Sequence, residues 1–275
     1  MKHYLALIRI DLKLAGRQRT VIFFNYMFPF LIFFVFAELQ RAKGGNSGMD
    51  FVLRFSLSIG ILGSGLFGAG IRAIQEREMN ILRRYKVTPI TPLPLLTASI
   101  VTGWVIFMPY VVMVFSLAHF VYKMPWPAHM PGLYLFIAVA LAAFRAIGLV
   151  VASVANSMQE GTILVQLFYF PMLLLSGATI PVGDLPHAMR VIPKFVPSSY
   201  FVQGLGSMFH GDSLRQNWEN VAVLIVAFAV GMVVSARMFR WEKEEKIPRS
   251  SKLWIAAVLL PFIVRGIWEI YSKKP

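Results

Sequence analysis

The stretch GIRAIQEREMNILRRYKVTPITP, residues 70–92, decides the fold class of this chain. Its charged side chains are Arg72, Glu76, Arg77, Glu78, Arg83, Arg84 and Lys86. Long apolar runs lie on both sides of it, residues 55–71 before and 93–119 after. Because charged side chains are costly inside a bilayer, a charged connection between two such runs lies in water or against a soluble partner. We therefore predict two membrane spans joined by a segment that contacts a partner.

The composition of the whole chain indicates the same class of protein. Hydrophobic residues make up 57% and charged residues 15% of the 275 residues, with a mean hydropathy of +0.65. A soluble chain carries about a quarter charged residues, and a helix needs roughly 17–25 apolar residues to cross a bilayer. Several runs reach that length, which predicts an all-α polytopic membrane protein.

The positive charge is arranged as in membrane proteins. The net charge is +14, but the lysines and arginines flank the apolar runs instead of forming one patch, which argues against nucleic-acid binding. They are concentrated before residue 20, in residues 72–86 and in residues 237–252, and such segments face the cytoplasm. The N-terminus is therefore predicted to be cytoplasmic. The sequence contains no cysteine, which excludes disulfides and thiolate metal sites, and its histidines lack metal-ligand spacing.

The order of apolar and polar segments predicts six spans, at about residues 20–37, 55–71, 93–122, 133–155, 162–180 and 218–238. The pattern of basic and apolar residues in 1–19 predicts a basic amphipathic helix. This helix either lies in the membrane interface or extends the first span into the cytoplasm. Residues 253–271 are either a seventh span or a re-entrant or interfacial helix, because Arg265 interrupts the apolar run.

Three features inside the apolar part are of interest. Arg145 lies within the fourth predicted span, where an embedded charge marks either a functional site or a buried partner of a carbonyl or polar side chain. Residues 176–200 are too broken for one helix and too apolar for an ordinary loop, which favours a re-entrant hairpin. The glycines of residues 55–71 either allow close helix packing, which is the commoner reason for them, or line a conduit.

Two motifs resemble those of the type-2 permease family of ABC transporters. Glu76–Pro89, EREMNILRRYKVTP, resembles the family's E-R-E-x-G-T-L-R-R-L-x-x-T-P, and departs from it at Asn80, Ile81 and Tyr85. The segment LSGATIP at 175–181, with Leu-Pro at 185–186 and Pro-Ser-Ser-Tyr at 197–200, is similar to the family's L-S-G-x-x-x-P…L-P…P-x-x-Y. The resemblance covers about residues 1–245 and leaves 246–275 as a C-terminal extension with a possible seventh membrane segment.

The resemblance implies the permease subunit of an exporter in the plasma (inner) membrane, which acts as a dimer and binds separately encoded ATPase subunits. It implies an interfacial helix at 1–19, a coupling helix at 72–88 and a re-entrant region at 176–200. Candidate ATPase-coupling residues are Glu76, Arg77, Glu78, Leu82, Arg83 and Tyr85. Candidate residues of the re-entrant region and translocation path are Ser176, Gly177, Pro181, Pro186 and Tyr200. Candidate aromatic residues of the path are Phe24, Phe28 and Tyr169, which suit an amphipathic, lipid-like or drug-like substrate.

The chain itself is not expected to be an enzyme. It contains no G-x-x-x-x-G-K-[ST] phosphate loop, so ATP and Mg²⁺ are expected on the partner ATPase and no cofactor on this chain. An ion- or proton-coupled transporter that needs no ATPase is the alternative, but it would require acidic residues inside the spans, and the acids lie at their ends and in loops. An intramembrane enzyme would need a convergent set of catalytic residues at one depth, and none is visible.

Overall fold

The computed structural model describes residues 2–16, 22–42, 48–86, 91–248 and 253–272. The regular structure of these residues is helical, which confirms the predicted all-α class. The helices are α1 Lys2–Ala15, α2 Phe28–Ala42, α3 Met49–Glu78, α4 Ile81–Lys86, α5 Pro92–Phe120, α6 Met130–Val154, α7 Met158–Leu174, α8 Pro197–Phe209, α9 Trp218–Arg237 and α10 Trp254–Ser272.

Five of the described helices, α3, α5, α6, α9 and α10, are long and apolar enough to cross a membrane. The first and fifth predicted spans correspond to shorter helices. A π-helical turn, Phe23–Met27, precedes the 15 residues of α2, and residues 20–21 of this predicted span lie outside the described residues. The 17 residues of α7 end at Leu174, before the predicted end at residue 180.

The close packing predicted from the glycines of residues 55–71 is confirmed where α3 crosses α6. The middle of α3, Gly63–Ile71, is π-helical, between α-helical segments Met49–Leu62 and Arg72–Glu78. A Cβ at Gly70 would lie 2.8 Å from the carbonyl oxygen of Gly148, and one at Gly148 would overlap the backbone of Gly65. The two backbones can approach this closely only because both helices have glycine at the crossing.

The remaining helices pack around α3 and α6. The largest fully buried side chains include Phe107, Tyr110 and Phe115 of α5, with Phe136 and Phe144 of α6. The outer faces of the bundle expose large apolar side chains, such as Leu167 on α7 and Val233 on α9. Apolar residues on the outside as well as in the core are expected of an integral membrane protein.

Residues 176–196 of the broken region predicted at 176–200 contain only short turns, and residues 197–200 already belong to α8. Three short 3₁₀ turns, Val182–Asp184, His187–Met189 and Ile192–Phe195, separate α7 from α8. The last of these turns packs against α10, which also lies along α9. The extension after residue 245 is therefore an integral part of the bundle.

Candidate functional site

The charged stretch is divided between two helices, so the single helix predicted for residues 72–88 is wrong. Arg72–Glu78 is the end of α3, and α4 begins at Ile81. Asn80, between them, has a φ of 55°, a left-handed conformation that ends a helix and that asparagine tolerates better than most residues. Residues 87–88 lie outside the described residues.

Glu76 forms an ion pair inside the protein. Its Oε1 lies 2.9 Å from Nε of Arg72, and Arg72 also pairs with Asp11 of α1. Arg72 is buried, and two partly buried carboxylates balance its charge. This triad fixes the N-terminal helix to the end of α3.

A cavity of about 70 Å³ lies beside this triad, between α1, α4 and the start of α5. Tyr85 lines it, and Leu82 of α4 is buried next to it. Burial raises the pKa of the Tyr85 hydroxyl above its ordinary value, and the carboxylates of Glu76 and Asp11 raise it further. Both α4 residues therefore face the bundle and hold α4 against it.

Arg77 and Glu78 contact the turn between α6 and α7. Arg77 is 4% exposed and donates hydrogen bonds to the carbonyl oxygens of Ala152 and Ala155, at 3.0 and 2.6 Å. The carboxylate of Glu78 accepts the backbone N–H of Met158 at 2.8 Å, in the first turn of α7.

The outward surface of the stretch is formed by few side chains. Met79 is 59% exposed, the side chain of Arg83 is 62% exposed, and Arg84 is exposed. Arg83 lies 3.8 Å from Glu242 in a long ion pair whose arginine is solvent-exposed, and such a pair contributes little stability. Met79 and Arg84 are absent from the set predicted from the sequence; they lie on either side of the break at Asn80, which separates α4 from α3.

The predicted path residues shape the irregular region after α7. Ser176 is buried; its Oγ donates to the carbonyl of Leu173 at 3.2 Å and accepts the N–H of Ala178 at 3.2 Å. Gly177 has a φ of 85°, which side chains rarely adopt. The exposed prolines Pro181 and Pro186 precede 3₁₀ turns in extended conformations.

Tyr200 lies at the other end of that region. It is 3% exposed, and its hydroxyl donates to the carbonyl of Lys194 at 2.7 Å. Its ring packs against Phe262 of α10, with 5.6 Å between the ring centroids. Tyr200 therefore connects α8, the preceding 3₁₀ turn and the C-terminal helix.

Arg145 is buried among neutral acceptors from two other helices. Its guanidinium donates to the carbonyl and hydroxyl oxygens of Ser64, at 3.0 and 3.1 Å, and to the hydroxyl of Ser99 at 3.1 Å. A Cβ at Gly103 of α5 would overlap this guanidinium. The sequence left two roles open for Arg145, a functional site or a buried partner of a carbonyl or polar side chain. These hydrogen bonds match the second role, because Arg145 links α3, α5 and α6.

The predicted path aromatics have different surroundings. Tyr169 is 6% exposed and packs edge-on against Phe67 of α3, with 5.3 Å between the ring centroids. Phe28 is half-buried and stacks on Phe23 at 5.9 Å. The side chain of Phe24 lies outside the described residues.

The sequence of the chain is similar to those of known transport proteins. A family model described as "ABC-2 type transporter" matches residues 2–210. The chain is 26% identical over 173 residues to "Inner membrane transport permease YhhJ" of Escherichia coli (strain K12), covering 62% of this chain and 46% of that protein. It is 23% identical over 167 residues to "Probable multidrug ABC transporter permease YbhR" of the same organism, covering 60% and 45%.

A third relative matches over a greater share of its length. The chain is 22% identical over 247 residues to "Putative transport permease YvfS" of Bacillus subtilis (strain 168), covering 86% of this chain and 96% of that protein. The chain thus spans less than half the length of the two Escherichia coli relatives and nearly all of the Bacillus one.

Proposed function

The chain belongs to the ABC-2 type transporter family, and we propose that it is the permease subunit of an ATP-driven exporter, coupled to separate ATPase subunits through the outward surface of α4. The observation that carries this proposal is the exposed set formed by Arg83 and Arg84 of α4 and by Met79, just before it. The charges on Arg72, Glu76 and Arg77 are used inside the chain, and the exposed carboxylate of Glu78 accepts a hydrogen bond from α7. A basic surface with one apolar side chain is suited to an acidic groove on a soluble partner.

The proposed assembly contains two permeases, either two copies or a pair of paralogues. Large apolar side chains on one face of α7, among them Ile163, Leu167 and Phe170, are more than half exposed and support contact with a second permease or with lipid. The path then lies between the permeases, near α2, α3 and α7. A relative described as a probable multidrug permease supports an amphipathic or drug-like substrate.

The proposed topology has a cytoplasmic N-terminus in the plasma (inner) membrane. The surplus of lysine and arginine before residue 20, in 72–86 and in 237–252 supports it, because these segments then share the cytoplasmic side. In this arrangement α4 faces the ATPase. The predicted re-entrant hairpin, the segment of residues 175–196 after α7, then lies toward the other side of the membrane.

Charge reversal on α4 tests the proposal. In the double variant Arg83→Glu, Arg84→Glu, co-purification of the ATPase with this chain should fall at least about tenfold, because like charges then face the acidic groove. The matched control is Arg41→Glu on α2, whose side chain is 65% exposed and lies beside Glu38. Unchanged ATPase binding in the double variant, or equal loss in the control, would contradict this role for α4.

A further inference from the structure

Arg77, which the motif assigns to partner contact, instead holds the end of α6. A helix ends with carbonyl groups that have no partner within the helix, and this end carries partial negative charge. Arg77 donates to two such carbonyls, those of Ala152 and Ala155. Its guanidinium is almost fully buried, so the contact leaves little of it for a soluble partner.

Glu78, the next residue, holds the start of α7. The first turn of a helix presents free N–H groups and partial positive charge, which a carboxylate complements. Glu78 accepts the N–H of Met158, while Ser157 caps the same helix by accepting the N–H of Glu160 at 3.1 Å. Adjacent residues of α3 thus bind the two helix ends that border one short turn.

The far end of α7 is joined to the irregular region that follows it. The carbonyl of Leu173 accepts hydrogen bonds from Ser176 at 3.2 Å and Thr179 at 3.0 Å. Ser198, at the start of α8, donates to the carbonyl of Met172. A helix of 17 residues extends about 26 Å, so α7, with Pro171 near its C-terminal end, reaches from Glu78 to this region.

We propose that Arg77 and Glu78 are positioning residues that transmit movement of the α4 surface to the α6–α7 turn and, through α7, to the hairpin of residues 175–196. This inference rests on the proposed function, because it needs an ATPase that moves α4. It separates the motif into two parts. Met79, Arg83 and Arg84 bind the partner, and Arg77 and Glu78 pass the movement on.

The end of α6 has a second anchor, which allows the two roles to be separated. Arg240 donates to the carbonyls of Ser153 and Ala155, and to the side chain of Asn156 at 2.8 Å. Removing Arg77 therefore leaves the end of α6 capped by an arginine. We expect the fold and the ATPase-binding surface of such a variant to persist while the hydrogen bonds from Arg77 to the end of α6 are lost.

The experiment uses a cysteine reporter, since the chain has no cysteine of its own. Ile180→Cys places the reporter in the hairpin, where the residue is 42% exposed. Its rate of reaction with a maleimide is measured in the complex with the ATPase, without nucleotide and with Mg²⁺ and a non-hydrolysable ATP analogue. Arg77→Gln and Glu78→Ala are made in this background, because alanine removes the acceptor of the Met158 N–H whereas glutamine would keep one. Arg215→Gln, which removes an exposed arginine from the loop before α9, is the matched control.

We expect nucleotide to change the labelling rate about fivefold or more in the parent and in the Arg215 control, the range of ordinary allosteric coupling. In Arg77→Gln and Glu78→Ala this change should largely disappear, while the ATPase co-purifies in parental amount. Arg77→Lys should restore part of it, because an ammonium group can still donate to the α6 carbonyls.

Each other outcome has a definite meaning. If Arg77→Gln and Glu78→Ala both respond to nucleotide as the parent does, or if the parent itself does not respond, the transmission role is wrong. If the variants lose the ATPase but keep their thermal unfolding midpoint, Arg77 and Glu78 are partner contacts instead. If no ATPase binds the parent, the proposed function itself fails.

Discussion

The chain leaves α3 through Asn80, whose φ of 55° sets the direction of α4. The N–H of Asn80 bonds to the carbonyl of Arg77 at 3.0 Å, and that of Met79 to Gln75 at 2.9 Å, so the helix end is closed by its own backbone. The family motif that this stretch resembles has glycine at the position of Asn80. Asparagine is the substitution that best preserves a left-handed residue, so this departure conserves the turn.

Replacing Asn80 tests this explanation. Asn80→Gly should keep the thermal stability and the ATPase binding of the parent, because glycine adopts this φ without strain. Asn80→Val should cost roughly 1–2 kcal/mol, because a side chain branched at Cβ is disfavoured there. Thermal unfolding of the purified chain in detergent measures both. Met79→Val, at a neighbouring residue with a φ of −79° and an exposed side chain, is the control and should be nearly neutral.

Equal stability of Asn80→Val and Met79→Val would contradict a turn that is fixed by backbone conformation. In that case the direction of α4 would depend on its buried contacts, chiefly Leu82. A loss of stability in Asn80→Gly would point instead to the asparagine side chain.

Residue-scale prediction from sequence worked where the information is local. An arginine inside an apolar run marks an embedded charge, and Arg145 is one. Its acceptors, Ser64 and Ser99, come from helices far away in the sequence, and no local periodicity encodes such a pairing. The inward roles of Arg77 and Glu78 were missed for the same reason. From sequence alone, a segment rich in charged residues is assigned to solvent, because its hydrogen-bond partners elsewhere in the fold are not known.

At the scale of elements, the crossing of α3 and α6 depends on small residues. Gly148→Ala should destabilise the chain by about 1–3 kcal/mol, because the new Cβ would overlap the carbonyl of Gly65, and a backbone group cannot rotate away. Gly183→Ala, in a 3₁₀ turn with no atom within 4 Å of its Cβ position, is the matched control. The thermal unfolding midpoint in detergent should fall for the first variant and stay unchanged for the second. Similar midpoints for the two would show that the helices can separate at no cost.

The helices themselves were largely predictable, since each predicted span contains a helix built on its apolar run. The residues at which the helices begin and end were less predictable. The capping pattern Ser157-Met158-Gln159-Glu160 is a readable start signal for α7, and it places that start four residues before the predicted one. The end at Leu174 depends on Gly177 and on hydrogen bonds from Ser176 and Thr179, which apolar periodicity does not report.

At the scale of the whole molecule, α10 extends the bundle beyond the six-span plan. Arg265 of α10 forms an ion pair with Glu219, the second residue of α9, and Glu269 lies 3.6 Å from Lys194. The C-terminal half of α10 therefore lies beside the start of α9, which makes the two helices antiparallel. These pairs also explain how a run interrupted by Arg265 remains compatible with a bilayer, because each charge has a partner.

The two faces of α10 differ as expected for a helix between protein and lipid. Val258, Phe262 and Gly266, spaced four residues apart, are buried against the bundle. Leu260 and Val264 on the other face are more than half exposed. An apolar face of this length is stable in lipid and costly in water. With the N-terminus in the cytoplasm, we therefore expect α10 to cross the membrane and to carry the C-terminus to the outside.

Single cysteines in this cysteine-free chain test that arrangement. Ser272→Cys, at the end of α10, should react with a membrane-impermeant maleimide added to cells whose inner membrane is intact. The outer control, Arg215→Cys before α9, should react in the same way. Glu244→Cys, in the exposed segment after α9, should react only once the membrane is permeabilised, because that segment is cytoplasmic in the proposed topology. If Ser272→Cys behaves like Glu244→Cys, α10 turns back within the bilayer, and its ion pairs with Glu219 and Lys194 cannot form at the outer side.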